Sequence, residues 1–266
     1  MSVEAKEGLV YIVEAADGNA TAIQIFQEKT LEECHKIGSS LIGNYKKPPY
    51  NVEQAGILLL NDDHFEMSGG EFCGNASRAV SMLLANYYES RNVGFTISGF
   101  ERKVEGKIEK EEFEKGDKIK VKCFFPDYCN QLSTKEINLS GDKTTIVDMG
   151  GIVHVLIDSN LPEDYEIQHQ KITQKLGLEN RSAVGVDWLR ETEQGVYMDP
   201  VVWVNNGADN GRGSFFYEGS CGSGSIAAAL VKEEQDIFQP SGEKILVKIE
   251  GNDITLTSNM EITHVI

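Results

Sequence analysis

Short apolar blocks separated by turn residues run through most of the chain. Only four stretches switch to the 3.6-residue period of a helix. Residues 9–13 and 22–26 read as strands joined by the turn Ala16-Asp17-Gly18-Asn19. Thr30 followed by Glu33 makes a capping box that opens a helix to about residue 42. Pro48 and Pro49 break the chain, and Glu53-Gln54 lead into a strand over 57–60. A strand over 64–67 and the segment Ser68-Gly69-Gly70-Glu71 precede a second, strongly apolar helix ending near residue 88. Strands follow at 94–98, 103–108 and 118–125, and residues 126–130 are the best linker candidate. The second half repeats the scheme. Strands at 136–139, 144–147 and 153–157 are interrupted by Gly150-Gly151, and a helix over 164–176 takes Gly177 as its C-cap. Strands at 184–189, 196–199 and 201–204 lead to a polar, glycine-rich loop over 206–213. A fourth helix and strands at 245–249 and 253–257 close the chain.

The second and fourth helices open on one motif. Phe72-Cys73-Gly74-Asn75-Ala76-Ser77 and Ser220-Cys221-Gly222-Ser223-Gly224-Ser225 each set a cysteine before Gly, a small polar residue, a small residue and Ser. Each cysteine therefore falls where a loop becomes a helix N-terminus. Unpaired N–H groups and the positive end of the helix dipole favour an anion there. A thiol so placed is expected to have its pKa lowered to about 3.5–7.5. Two halves with the same order of elements read as an internal duplication of one α+β unit. A pseudo-twofold arrangement would bring the two helix N-termini face to face across a cleft, a favoured place for a small-molecule site.

Composition narrows the class of function. The chain has 266 residues, 40% hydrophobic, enough for two ordinary domains or one large one. A net charge of −17 argues against nucleic acid, which needs a Lys/Arg-rich surface, and against an anionic membrane. No apolar run approaches the ~20 residues of a membrane span. Residues 1–8 are polar and acidic, unlike a signal peptide. The five cysteines are odd in number, irregularly spaced and without a CxxC, so neither a metal site nor a disulfide framework is expected. Reduced thiols in the cytoplasm are the natural reading.

Two facing cysteines suit inversion of a carbon centre. A thiolate on one face removes the α-proton of an amino acid, and a thiol on the other returns one. Their protonation states are then exchanged, so the pair works in both directions without a cofactor. The helix N–H groups can hold the substrate α-carboxylate, and Gly74 and Gly222 allow close approach of the backbone.

These motifs resemble the paired cysteine motifs of diaminopimelate epimerase and its relatives, the cofactor-independent amino-acid racemases. Gly18-Asn19, Glu53-Gln54 and Met149-Gly150 are similar to further family positions. The resemblance covers essentially the whole chain. It implies an α+β fold of two pseudo-symmetric domains, each with strands wrapped around a central helix, and an active site in the cleft between them. The domains would be residues 1–128, completed by a C-terminal strand over 259–266, and residues 129–258. The residues that hold the distal end of diaminopimelate in that family are missing. The segments Met67 to Ala76, Glu53 to Gly56 and Glu218 to Gly224 instead resemble histidine racemases of staphylopine-type metallophore synthesis. The resemblance implies Cys73 and Cys221 as the catalytic pair, with Asn19, Glu53, Gln54, Gly74, Asn75, Gly222 and Ser223 around the substrate. A carboxylate at Glu53 could pair with an imidazole. A homodimer is an assembly to test. Diaminopimelate epimerase and an inactive homologue that only binds its ligand stand as the alternatives.

Other residues carry two readings. His154 is a substrate contact or a satisfied structural histidine, and Glu218 orients a substrate group or is a solvated turn carboxylate. His35, His64, His169 and His264 lack metal-ligand spacing and read as surface residues. Arg78 reads as a solvent-facing helix residue. The loop within 206–213 has no strand–helix context for a nucleotide and reads as a lid.

Overall fold

The computed structural model describes residues 5–110, 113–139, 141–204 and 214–266. Its first half comprises β1 (Val10–Ala15), β2 (Asn19–Phe26), α1 (Leu31–Tyr45), β3 (Val52–Leu59), β4 (His64–Met67), α2 (Gly74–Tyr87), β5 (Asn92–Ile97), β6 (Val104–Ile108) and β7 (Ile119–Phe125). The second comprises β8 (Ser133–Leu139), β9 (Asp142–Asp148), β10 (Ile152–Ile157), α3 (Tyr165–Leu176), β11 (Ala183–Thr192), β12 (Gly195–Val204), β13 (Ser214–Tyr217), α4 (Gly222–Lys232), β14 (Asp236–Phe238), β15 (Lys244–Glu250) and β16 (Asp253–Val265). The glycine-rich loop read as a lid lies outside the described residues, apart from its flanks.

One strand path runs through both halves in the order β1-β2-β3-β4-β5-β6-β7-β16-β15-β14-β12-β11-β10-β9-β8. β16 also pairs with β1, so the first eight strands of that path close on themselves around α2. A mostly apolar helix with no polar face suits enclosure by strands. Residues 74–85 of α2 are accordingly all buried, and so are residues 222–229 of α4, which packs against β10, β12, β14 and β15. The outer helix α1 is amphipathic and turns Cys34, Gly38 and Leu41 inward. Its Thr30–Glu33 capping box forms as expected, and Gly177 takes the left-handed conformation that ends α3.

The long last strand joins the halves. Residues 253–257 of β16 pair with β15, residues 254–260 with β7, and residues 260–265 with β1.

Several boundaries move. The expected break at Pro200 is absent, and 195–204 is a single strand. Glu218 N–H donates to Pro200 O, so the edge on which Pro200 lacks its N–H is where β12 exchanges β14 for β13 as a neighbour. The proposed linker at 126–130 is partly a 3-10 turn, Tyr128–Gln131, whose Tyr128 ring is buried among Phe72, Phe100 and Phe125. β14 was hidden by its three-residue length. Among the described residues no helix is long and apolar enough to cross a membrane.

Candidate active site

The two cysteine motifs fold into the same turn. Cys73 is the N-cap of α2 with φ −137° and ψ 113°, and Cys221 is the N-cap of α4 with φ −131° and ψ 110°. Each sulfur accepts the N–H three residues on, from Ala76 at 3.3 Å and from Gly224 at 3.4 Å. Each motif serine bonds back to its cysteine carbonyl: Ser77 Oγ to Cys73 O at 2.8 Å, Ser225 Oγ to Cys221 O at 2.6 Å. This explains why both motifs carry Ser four residues after Cys.

The turns meet. A Cβ on Gly222 would lie 3.0 Å from the Gly74 carbonyl carbon, so the two backbones approach as only glycine permits. Asn75 Nδ2 donates to Ser220 O at 3.0 Å, tying the first turn to the residue before the second cysteine. Ser220 Oγ in turn donates to Ala15 O at 2.7 Å, at the mouth of the β1–β2 turn that presents Asn19.

A polar chain runs from the first sulfur toward the second. The Cys73 thiol donates to Gln54 Oε1 at 2.7 Å, and Gln54 Nε2 donates to Glu218 Oε1 at 3.4 Å. Glu218, three residues before Cys221, acts on its thiol electrostatically. Beside this chain, Asn19 Nδ2 donates to Glu53 Oε2 at 2.8 Å. Asn19 Oδ1 and Glu218 Oε2 are buried without a partner, two polar atoms facing the site with capacity to spare.

His154 is fully buried. Its Nδ1 meets Asp187 Oδ2 at 2.7 Å and its Nε2 meets Ser223 Oγ at 2.9 Å, and Ser223 Oγ lies 3.6 Å from Cys221 Sγ. His154 is thus a satisfied histidine that still reaches the site through Ser223. Asp187 was not foreseen, although a lone acid in the apolar run of β11 was a visible signal. Gly185 stands beside His154 on the neighbouring strand, and any side chain there would run into the imidazole. Gln239, also unforeseen, fixes the second turn by accepting the Cys221 N–H at 2.8 Å.

Three expectations are corrected. Arg78 does not face solvent; it is fully buried, with Nη2 on Asn75 Oδ1 at 2.5 Å. The helix is enclosed on every side, so even its one charged residue is buried. His169 is not a surface residue; it is 1% exposed and shared between Val184 O and Thr173. The thiols are not lowered. Burial pushes Cys73 up to about 12, against the pull of the Ala76 N–H. Burial raises Cys221 well above its ordinary value, with Glu218 and Asp187 adding to it. Desolvation outweighs the helix N-terminus at these buried sulfurs.

The carboxyls are perturbed as well. Burial first, then Glu218 and Glu14, push Glu53 up to about 9. Burial likewise pushes Glu218 up to about 7, while the neighbouring Cys221 and His154 pull it down. The two behave as one coupled pair that resists carrying two charges. Among the described residues no cluster of His, Cys, Asp and Glu could hold a metal ion.

The family described as the histidine racemase CntK N-terminal domain matches residues 17–264. The chain belongs to the histidine racemase family. Two relatives named histidine racemase, from two strains of Fusobacterium nucleatum subsp. nucleatum, are 30% and 28% identical over 225 residues. Each alignment covers 79% of this chain, and 78% and 79% of the relatives. Membership makes the chain an isomerase acting on a small amino-acid substrate. Among solved structures, a phenazine biosynthesis protein PhzF family member from Enterococcus faecalis matches with a TM-score of 0.54 at 13% identity. It covers 100% of this chain and 98% of its own, and shares the diaminopimelate epimerase-like fold. Every residue expected at the racemase site, Asn19, Glu53, Gln54, Cys73, Gly74, Asn75, His154, Glu218, Cys221, Gly222 and Ser223, belongs to the one connected cluster described above.

Proposed function

We propose that the protein is a histidine racemase that inverts Cα by a two-cysteine proton transfer with no cofactor. The observation that carries this reading is the meeting of two cysteine-capped helix starts of the same backbone form, tied together by Asn75 and Ser220. The thiolate of one cysteine takes the α-proton. The resulting flat carbanion receives a proton from the thiol of the other on the opposite face. Charge developing on the α-carboxylate is met by the free N–H groups at the first turns of α2 and α4. The proton ends on the sulfur that began as thiolate, so the enzyme is ready for the reverse reaction.

Substrate choice follows from the acidic pair. Buried together, Glu53 and Glu218 resist ionising at once. A substrate carrying an ammonium and an imidazole supplies the counter-charge that lets both ionise, and the unpartnered Asn19 Oδ1 and Glu218 Oε2 accept its donors. The relatives' name points to the same amino acid. The domains are residues 1–128 with 259–266, and residues 129–258, and the substrate enters between them. The protein works in the cytoplasm, where its thiols stay reduced.

The test is incubation of L-histidine with the purified protein in heavy water, no cofactor added. Deuterium is expected at Cα, with D-histidine accumulating toward an equal mixture. Deuterium entering another amino acid faster than histidine would remove the substrate assignment. No exchange into any amino acid would leave a binding protein.

A further inference from the structure

Arg78 stands on α2 just over one turn beyond Cys73 and heads the fully buried side chains in size. Its Nη2 donates to Asn75 Oδ1 at 2.5 Å, while Nε and Nη1 have no hydrogen-bond partner. Among the described residues no carboxylate pairs with it. A guanidinium keeps its charge in nearly any surroundings, and a buried charge without a counter-charge is strongly unfavourable. The groups acting on it electrostatically are three thiols: Cys123 on β7, and Cys73 and Cys221 at the two caps. Burial lowers the guanidinium to about 10, and those sulfurs pull the other way. The nearby acids Glu71, Glu218 and Asp187 act on the cysteines instead. Cys123 is held by Ser81 Oγ at 3.1 Å and lies outside both caps.

We propose that Arg78 is the fixed counter-charge of the acid/base pair, balancing the single thiolate that passes between Cys73 and Cys221 and, through Asn75, locking the two cysteine turns together. The inference rests on the two-cysteine reading above. Each turnover moves the negative charge from one sulfur to the other. A cation on α2, tied through Asn75 to the residue before Cys221, acts on the charge in both states. Asn75 carries the mechanical part, since its Oδ1 takes Arg78 and its Nδ2 holds Ser220 O, next to Cys221. Arg78 makes no hydrogen bond to either sulfur, so it is a positioning residue.

The experiment compares Arg78→Met, which keeps length and loses charge, with Arg78→Lys, which keeps charge and loses the planar fork. kcat/KM is measured against pH from both L- and D-histidine, and thiolate is counted by ultraviolet absorbance. Arg78→Met is expected to lower kcat/KM at least about a hundredfold in both directions, the scale of one lost donor to a developing charge. Its limb that rises with pH should move up by about one to three units, as for loss of an opposite charge nearby. Arg78→Lys should keep the limb in place with a smaller loss. The unaltered enzyme saturated with histidine should carry one thiolate near neutral pH that Cys123→Ala leaves intact. A folded Arg78→Met with an unmoved limb, an Arg78→Lys shifted as far as Arg78→Met, or no thiolate in the histidine-saturated unaltered enzyme would each overturn the proposal. If Arg78→Met does not fold, the lysine variant and the thiolate count still decide. Racemisation surviving in Cys73→Ala or Cys221→Ala would sink the two-cysteine reading instead.

Discussion

Cys73 and Cys221 sit in turns with nearly the same backbone angles, the same sulfur cap and the same serine back-bond, yet their side-chain neighbours are unlike. Cys73 gives its proton to a neutral amide, Gln54, on β3. Cys221 faces the Glu218 carboxylate and, through Ser223 and His154, Asp187. The cap is local, made by six consecutive residues, so two like motifs build it alike. The neighbours differ: Gln54 reaches Cys73 from β3, whereas Ser223 of α4 and His154 of β10 stand by Cys221. A symmetric turn is thereby given unlike surroundings: burial raises both thiols, Glu71 and Glu218 add to it at Cys73, and Glu218 and Asp187 add to it at Cys221.

The comparison breaks most severely if the two sulfurs are unequal in the reaction itself. Cys73→Ala and Cys221→Ala are each expected to lose racemisation by about 10²–10⁴-fold or more, the range of a single acid/base group. A variant retaining more than a few per cent of activity in a racemisation assay shows that its cysteine is not one of the pair. Circular dichroism checks that both still fold.

The acidic side is tested next. Glu53→Gln keeps size and hydrogen bonding and removes charge. A charge-assisted bond contributes roughly 1.5–3 kcal/mol, so kcat/KM for histidine should fall about ten- to a hundredfold. A neutral amino acid should be affected far less. Equal loss on both would take Glu53 out of substrate selection.

A smaller effect sharpens the asymmetry. Iodoacetamide should modify Cys73 of the substrate-free enzyme before Cys221, because Glu218 and Asp187 oppose a negative charge on Cys221. Glu218→Gln removes the leading one of those two charges and should narrow that preference, read by mass spectrometry of the two peptides. Preference for Cys221 in the unaltered enzyme would reverse the assignment.

The smallest effect is on stability. Glu53 is raised in the folded state, so the fold binds its proton more tightly than the unfolded chain does. The penalty is absent below the ordinary carboxylate value of 4.5 and grows as pH rises toward about 9. Glu53→Gln should therefore melt with the unaltered protein near pH 4.5 and above it near pH 9, by about 1 kcal/mol or ~2–4 °C in Tm. A gain of the same size at both ends of that range would assign the effect to something other than titration.

Sequence alone settled what is local or periodic. The two cysteine caps, the Thr30–Glu33 capping box, the Gly177 stop, the four helices and most strands follow from contiguous residues, and so they were legible. The family resemblance ordered the site residues from Asn19 to Ser223, and the structure brings all of them into one cluster. Tertiary structure alone decided burial, charge and pairing across distance. Arg78 reads as solvent-facing until strands closing through β16 enclose α2 on every side. Asp187 gains meaning when β10 and β11 pair in parallel, setting His154 against Gly185 two residues before it. Both thiols were expected low because a helix N-terminus attracts an anion. They are high because the same folding that forms those caps removes the water that would have solvated the charge, and desolvation depends on every neighbour at once.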